Sequence, residues 1–164
     1  MSADYDNLLI SKNLIDWKEI LKHDRYLYNI YEIKIKNLYF YFVETGRLNV
    51  FEWDLKYLNS NISLINNSDC GSSIDLLYYC DGDNYEIINK ISEDFIHDDF
   101  LDDEEREIAY GSFKELLEIG ICKVDENIKL TDEELRIISL VFKLFSLYYN
   151  KIPDDIKTMI TKIN

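Results

Sequence analysis

Between Tyr31 and Lys36 the chain alternates strictly, with Tyr31, Ile33 and Ile35 set against Glu32, Lys34 and Lys36. A period of two places alternate side chains on opposite faces, which fits a strand with one face buried and the other wet. An unbroken aromatic and aliphatic run follows, Leu38 to Val43, consistent with a central strand covered on both sides. Glu44-Thr45-Gly46-Arg47 then reads as a turn. Beyond it Phe51, Trp53, Leu55 and Tyr57 alternate with Glu52, Asp54 and Lys56, so a hairpin is expected there. Asn59 to Asn61 and Asn66 to Ser73 read as polar loops, with short strands at Ile62–Ile65 and Leu76–Cys80.

Helical spacing brackets this sheet. A first helix is expected over Asn13 to His23, with Asn13 as cap, Leu14, Trp17 and Leu21 on one face, and Lys22 and His23 at the end where positive charge is favoured. In the second half, Tyr85 to Ile96 carries Ile88, Ile91 and Phe95 on one stripe. Asp102 to Ile119 opens on an Asp-x-x-Glu cap pattern and is expected to stop at Gly120. Thr131-Asp132-Glu133-Glu134 is the strongest local signal in the chain, a capping box. The helix it opens is expected to reach about Tyr149 and, being apolar around most of its circumference, to form the centre of the core. Pro153 suits the first turn of a last helix whose Ile156, Met159, Ile160 and Ile163 face inward. The expected fold is α+β: an N-terminal helix and small antiparallel sheet followed by a helical C-terminal half. At 164 residues, with few glycines and one proline to mark linkers, it should form a single domain over residues 1–164.

Chemistry is constrained by what is scarce. The histidines are His23 and His97 alone, and neither stands in a zinc-binding spacing. His97-Asp98 matches the dipeptide of metal-dependent phosphohydrolases, but those need further histidines upstream. Asp81-Gly82-Asp83-Asn84 starts like a calcium loop and fails at Glu86, where glycine is required, and at Ser92, where glutamate is required, so a turn is expected. No Gly-x-x-x-x-Gly-Lys or Gly-x-Ser-x-Gly motif occurs. The cysteines, Cys70, Cys80 and Cys122, are odd in number and read as apolar core residues in a reducing compartment, the cytosol. The acidic start, Met1 to Asp6, lacks the basic and apolar regions of a signal peptide, and no apolar run reaches about 18 residues. No catalytic site, metal or cofactor is expected.

The net charge of −14 disfavours a phosphate-backbone or anionic-membrane binder and favours capture of basic proteins. It is unevenly spread: the sixteen residues Ser92 to Glu107 carry nine carboxylates and Arg106, a net −8. Phe95, Ile96, Phe100 and Leu101 lie among them and would anchor the segment to the core. The candidate partner-binding residues are therefore Glu93, Asp94, Asp98, Asp99, Asp102, Asp103, Glu104 and Glu105. Such a patch would set association rate and register more than raw affinity.

Two resemblances bear on these residues. Leu116 to Thr131 runs helix, glycine, short strand, acidic turn, short strand, and resembles the helix-to-wing portion of a winged-helix domain. Its helix offers Lys114 and Arg106 against seven acidic residues, which disfavours DNA reading. Over the whole chain, size, acidity, aromatic content and lack of catalytic residues resemble bacterial immunity proteins of nuclease-toxin systems, of the contact-dependent inhibition or bacteriocin type. That resemblance is one of composition and implies a tight one-to-one complex with a cognate basic nuclease toxin domain, with no direct nucleic-acid or membrane contact. A phage-type nucleic-acid mimic that blocks a defence nuclease, and a winged-helix-like adaptor, stand as alternatives.

Overall fold

The chain is described by a computed structural model over residues 5–23, 27–46, 61–68, 74–80, 84–88 and 102–164, with backbone alone for residues 5, 28, 67–68, 74–80 and 84–88. Along it run β1 (Tyr5–Ser11), α1 (Trp17–His23), β2 (Leu27–Ile35), β3 (Leu38–Thr45), β4 (Ile62–Ser68), β5 (Ile74–Cys80) and β6 (Asn84–Ile88). Then come α2 (Asp103–Val124), α3 (Asp132–Leu144), a 3-10 turn at Tyr149–Lys151, α4 (Asp154–Lys157) and β7 (Thr161–Lys162). The fold is α+β. Its strands form one antiparallel sheet in the order β6-β5-β4-β1-β3-β2-β7.

A strand, not a helix, comes first, and it takes the middle of the sheet. β1 pairs residue for residue with β3 on one side and β4 on the other, so that Leu8 lies opposite both Phe42 and Ile65. Leu8, Leu9 and Ile10 are all fully buried. Because both faces are covered, the strand needs no alternation, and three consecutive apolar residues are what the sequence shows. The expected helix at Asn13–His23 is correspondingly shorter. Asp16, not Asn13, accepts the Glu19 amide at its start at 3.4 Å, and Trp17 and Ile20 are its buried residues while Leu14 is 68% exposed.

Opposite faces of the sheet hold separate cores. One gathers Leu8, Ile10, Ile33, Phe40 and Phe42 under Phe113, Leu117 and Ile121 of α2 and Leu135, Ile138 and Phe142 of α3. Phe113 and Phe142 stack across the helix pair with ring centres 5.6 Å apart, and Phe145 continues the aromatic layer. The other gathers Leu9, Ile30, Tyr41, Val43 and Leu64 under α1, where Trp17 meets Tyr41 edge-on at 5.3 Å. The Ile15 amide donates to the Tyr41 hydroxyl at 3.2 Å, which satisfies the polar end of a fully buried ring.

Several expected elements hold. β2 contains the alternating segment up to Ile35, and β3 is a central strand. β4 and β5 extend the two short strands. A separate hairpin, not placed from the sequence, joins β2 to β3: Ile35 pairs with Leu38, leaving Lys36-Asn37 as a two-residue loop with Lys36 at φ 54°. The Lys36 ammonium reaches across to donate to the Lys129 carbonyl and lies 3.5 Å from Glu134, tying the hairpin tip to the start of α3. The expected strand Phe51–Tyr57 lies outside the described residues, as do residue 47 of the expected turn and all but Asn61 of the first polar loop.

The other differences have physical causes. Asn66 to Ser68 continue β4 rather than starting a loop, because Asn66 finds a partner inside the sheet: its amide donates to Asn7 Oδ1 at 2.8 Å, and Asn7 Nδ2 lies 3.1 Å from both the Val43 carbonyl and Thr45 Oγ1. Residues 84–88 form a strand on β5, with Tyr79 opposite Tyr85, where a helix is expected from Tyr85. Tyr and Ile favour strands, and a helical stripe of three positions is too short to overrule sheet pairing. Ile91 and Phe95 lie outside the described residues.

α2 passes through Gly120 to Val124. The glycine is buried, and Ser63 donates to its carbonyl at 2.6 Å, so it marks contact with β4 rather than a helix end. Burial of Ile121 and Val124 on the sheet outweighs the roughly 0.5–1 kcal/mol cost of a mid-helix glycine. With residues 121–124 helical and no strand at 128–130, the wing of a winged helix is absent from this segment.

α3 stops at Leu144 and buries one face only, exposing Asp132, Glu133 and Arg136, so the centre of the core is the sheet instead. The last helix is also short. After α4 the chain turns extended, and β7 pairs Lys162 with Tyr31 and Thr161 with Glu32. The Ile163 amide donates to the Ile30 carbonyl and the Ile30 amide to Asn164 Oδ1, both at 2.9 Å. Satisfying the β2 edge outcompetes continuation of the helix. Ile156 and Ile160 do pack on the core, while Met159 is exposed.

Asn7→Ala should leave Asn66 and Thr45 without a buried partner and cost about 1–3 kcal/mol in urea unfolding. A change below about 0.5 kcal/mol would show that this network is not what keeps β1 between β3 and β4.

Candidate interaction surface

Both long helices begin at a capping box, and each box fixes carboxylates in space. Asp102 Oδ1 accepts the Glu105 amide at 2.8 Å, and Glu105 Oε1 lies 3.4 Å from the Asp102 amide. At α3, Thr131 Oγ1 accepts the Glu134 amide at 3.1 Å, and Glu134 Oε1 accepts the Thr131 amide at 2.8 Å. The Glu105 amide is the largest influence holding the Asp102 carboxyl below its ordinary range, and the Thr131 amide does the same for Glu134. Asp103, Glu104 and Glu105 then occupy the first turn of α2, where the helix dipole favours them.

The structure therefore brings Asp102, Asp103, Glu104 and Glu105 together on one exposed turn. Asp103 also stands 3.5 Å from Arg106. Glu93, Asp94, Asp98 and Asp99, the other half of the expected patch, lie outside the described residues, as does His97. His23 is exposed at the end of α1.

Further along, the acidic segment meets the neighbouring helix through exposed ion pairs. Arg136 of α3 grips Glu107 through both guanidinium nitrogens, at 3.1 and 3.0 Å, and Asp132 through Nε at 2.9 Å. The Tyr110 hydroxyl donates to Asp132 Oδ1 at 3.0 Å, and the Arg136 guanidinium lies 4.1 Å from the Tyr110 ring centre. Lys114 adds a contact of 3.6 Å to Asp132. Arg136 holds Glu107 and Asp132 below their ordinary carboxylate range, and burial pushes the Tyr110 hydroxyl up to about 12. The Asp132–Arg136 pair is legible in the sequence as an i,i+4 pair. The Glu107–Arg136 pair is not, since it requires knowing that the two helices lie side by side. Glu107 thus joins the two helices, whereas Asp102 to Glu105 face solvent.

Two shallow clefts adjoin the helix pair. One, of about 280 Å³, runs between the helices past Arg106, Tyr110, Arg136, Leu140 and Lys143. The other, of about 250 Å³, lies between the end of α2 and the following loop, beside Ile121, Cys122, Ile128 and Leu135. Cys122 is exposed and carries a free thiol, contrary to the core position expected of it. Cys70 lies outside the described residues, and Cys80 is described by its backbone alone. Among the described residues no group of three or more His, Cys, Asp or Glu side chains is placed to hold a metal ion, and no helix is long and apolar enough to cross a membrane.

No protein-family model, curated protein or solved structure matches this chain.

The Arg136 network gives the chain a pH signature. A carboxyl held below its ordinary value adds stability above that value and loses it as pH falls through the lowered one. For Glu107 and Asp132 the ordinary values are 4.5 and 3.8. Arg136→Gln should therefore be less stable than the parent at neutral pH, and the gap should close as pH falls below the ordinary values of these two carboxyls. Thermal melts over that fall in pH check it; a gap that persists unchanged at the acid end would mean that Arg136 stabilises by packing alone.

Proposed function

We propose that this chain is a non-catalytic immunity protein that binds and neutralises a basic, nuclease-type toxin through an acidic surface. The observation that carries this reading is the start of α2, where four consecutive carboxylates stand together, the outer two, Asp102 and Glu105, held by a capping box on a helix anchored to the sheet. Charges fixed this way need little ordering when a cationic surface arrives, and they can occupy the positions that substrate phosphates would take in a nuclease cleft. Support also comes from the chain's net charge of −14, which raises the capture rate of a basic partner and opposes contact with nucleic acid or anionic lipid. The winged-helix reading loses its basis with the wing. In this reading the cognate toxin binds one to one in the cytosol, and no cofactor or metal takes part.

The test is association kinetics against a basic nuclease domain, sought first in the gene immediately upstream. Asparagine at positions 98, 99, 102 and 103 removes four charges while keeping a residue that can cap α2. The four-fold variant should associate about tenfold more slowly at low salt and show a flatter salt dependence. An association rate equal to the parent's at every salt concentration would refute the acidic-surface mechanism.

A further inference from the structure

We infer that the outward face of α2, centred on Ile108 and Gly111, is the surface against which a basic protein partner docks; this rests on the reading of the chain as a binder of basic proteins. Helical spacing places Glu104, Ile108, Gly111, Ser112, Glu115 and Glu118 on the side of α2 opposite Tyr110, Phe113 and Leu117, which are buried against the sheet and α3. All six are exposed.

Two of them are poor choices for a helix surface with no further duty. Ile108 is 65% exposed, one turn into a segment otherwise dominated by carboxylates. Gly111 sits mid-helix, where glycine weakens the helix relative to alanine. A Cβ built at that position would meet nothing within 4 Å among the described residues, so packing among them gives no reason for its absence. Ile108 and the bare backbone at Gly111 are three residues apart and form one small apolar saddle. A partner can approach closely there, since among the described residues no side chain stands in the way.

What surrounds the saddle selects the occupant. Glu104 lies on one side along the helix and Glu115 and Glu118 on the other. Among the nearest bases, Arg106 contacts Asp103, and Lys114, at the margin, lies 3.6 Å from Asp132 and 4.0 Å from Glu118 of the rim itself. The face thus presents an apolar centre in a negative rim. Its complement is a protein surface, such as a helix, with lysines or arginines around an apolar side chain. A second copy of this chain would bring like charge to like, and nucleic acid or anionic lipid would do the same.

The probe is a lysine-rich amphipathic helical peptide with a leucine stripe, compared with a counterpart in which glutamate replaces every lysine. Each is titrated into the isotope-labelled full chain and followed by amide NMR. The lysine peptide should shift residues 104–118 most. Ile108→Ser and Gly111→Gln should each weaken it about tenfold. Gly111→Gln should at the same time raise the melting temperature by about 2 °C, because it improves the helix while blocking the approach. Lysine-peptide shifts centred elsewhere and unaffected by these two substitutions would overturn the placement on α2 and leave the proposed function standing. Equal binding of both peptides, or of neither, would overturn both.

Discussion

Burial of β1 on both faces and both edges is the constraint on which the rest of this structure depends. Leu8 and Ile10 point into the core beneath α2 and α3, and Leu9 points into the core beneath α1. The strand's backbone is paired throughout with β3 and β4. A change to this strand would therefore be felt in both hydrophobic layers at once. The polar residues along it are equally committed: Asn7 joins Thr45 and Asn66, and Ser11 holds both backbone groups of Asn13 at the exit from the strand.

That central strand positions the helix pair. β4, held by β1, offers Ser63 to the Gly120 carbonyl. β3 supplies Phe40 and Phe42, over which Phe113, Phe142 and Phe145 lie. The β2–β3 hairpin adds Lys36, which reaches Lys129 and Glu134 where α3 begins. Between the helices, Arg136, Glu107, Asp132 and Tyr110 complete the connection. A long helix pinned on its inner side at these points can carry exposed carboxylates on its outer side without their mutual repulsion displacing it. Exposed ion pairs contribute little individually, so the apolar layer supplies most of the rigidity.

Sequence reasoning read the parts whose signals are local. Both capping boxes are written in four consecutive residues, and both were found where expected. The alternation at Tyr31 to Lys36 and the apolar run at Leu38 to Val43 identified β2 and β3, because each strand's pattern reports how many of its faces are covered. What escaped were features set by distant partners. β1 has a three-residue apolar run flanked by polar residues, and its polarity makes sense only once Asn66 lies opposite Asn7. Gly120 has the usual signature of a helix end, and only the arrival of Ser63 explains why the helix passes through it. The terminal Ile160 to Ile163 segment keeps a helical spacing, yet the open edge of β2 draws it into a strand. For the candidate surface, composition located the acidic turn at Asp102–Glu105, but only the helix pairing shows that Glu107 is bound by Arg136 of α3 and that Ile108 and Gly111 face out.

Hydroxyl-radical footprinting of the chain, alone and bound to a basic nuclease domain of the proposed kind, tests the central claim most directly. Ile108, Leu14 and Leu147 begin with similar exposure, 65%, 68% and 79%, and so report on different faces under one chemistry. The account predicts that Ile108 loses most of its reactivity in the complex while Leu14 and Leu147 keep theirs. Protection of Leu14 or Leu147 with Ile108 still fully reactive would contradict it.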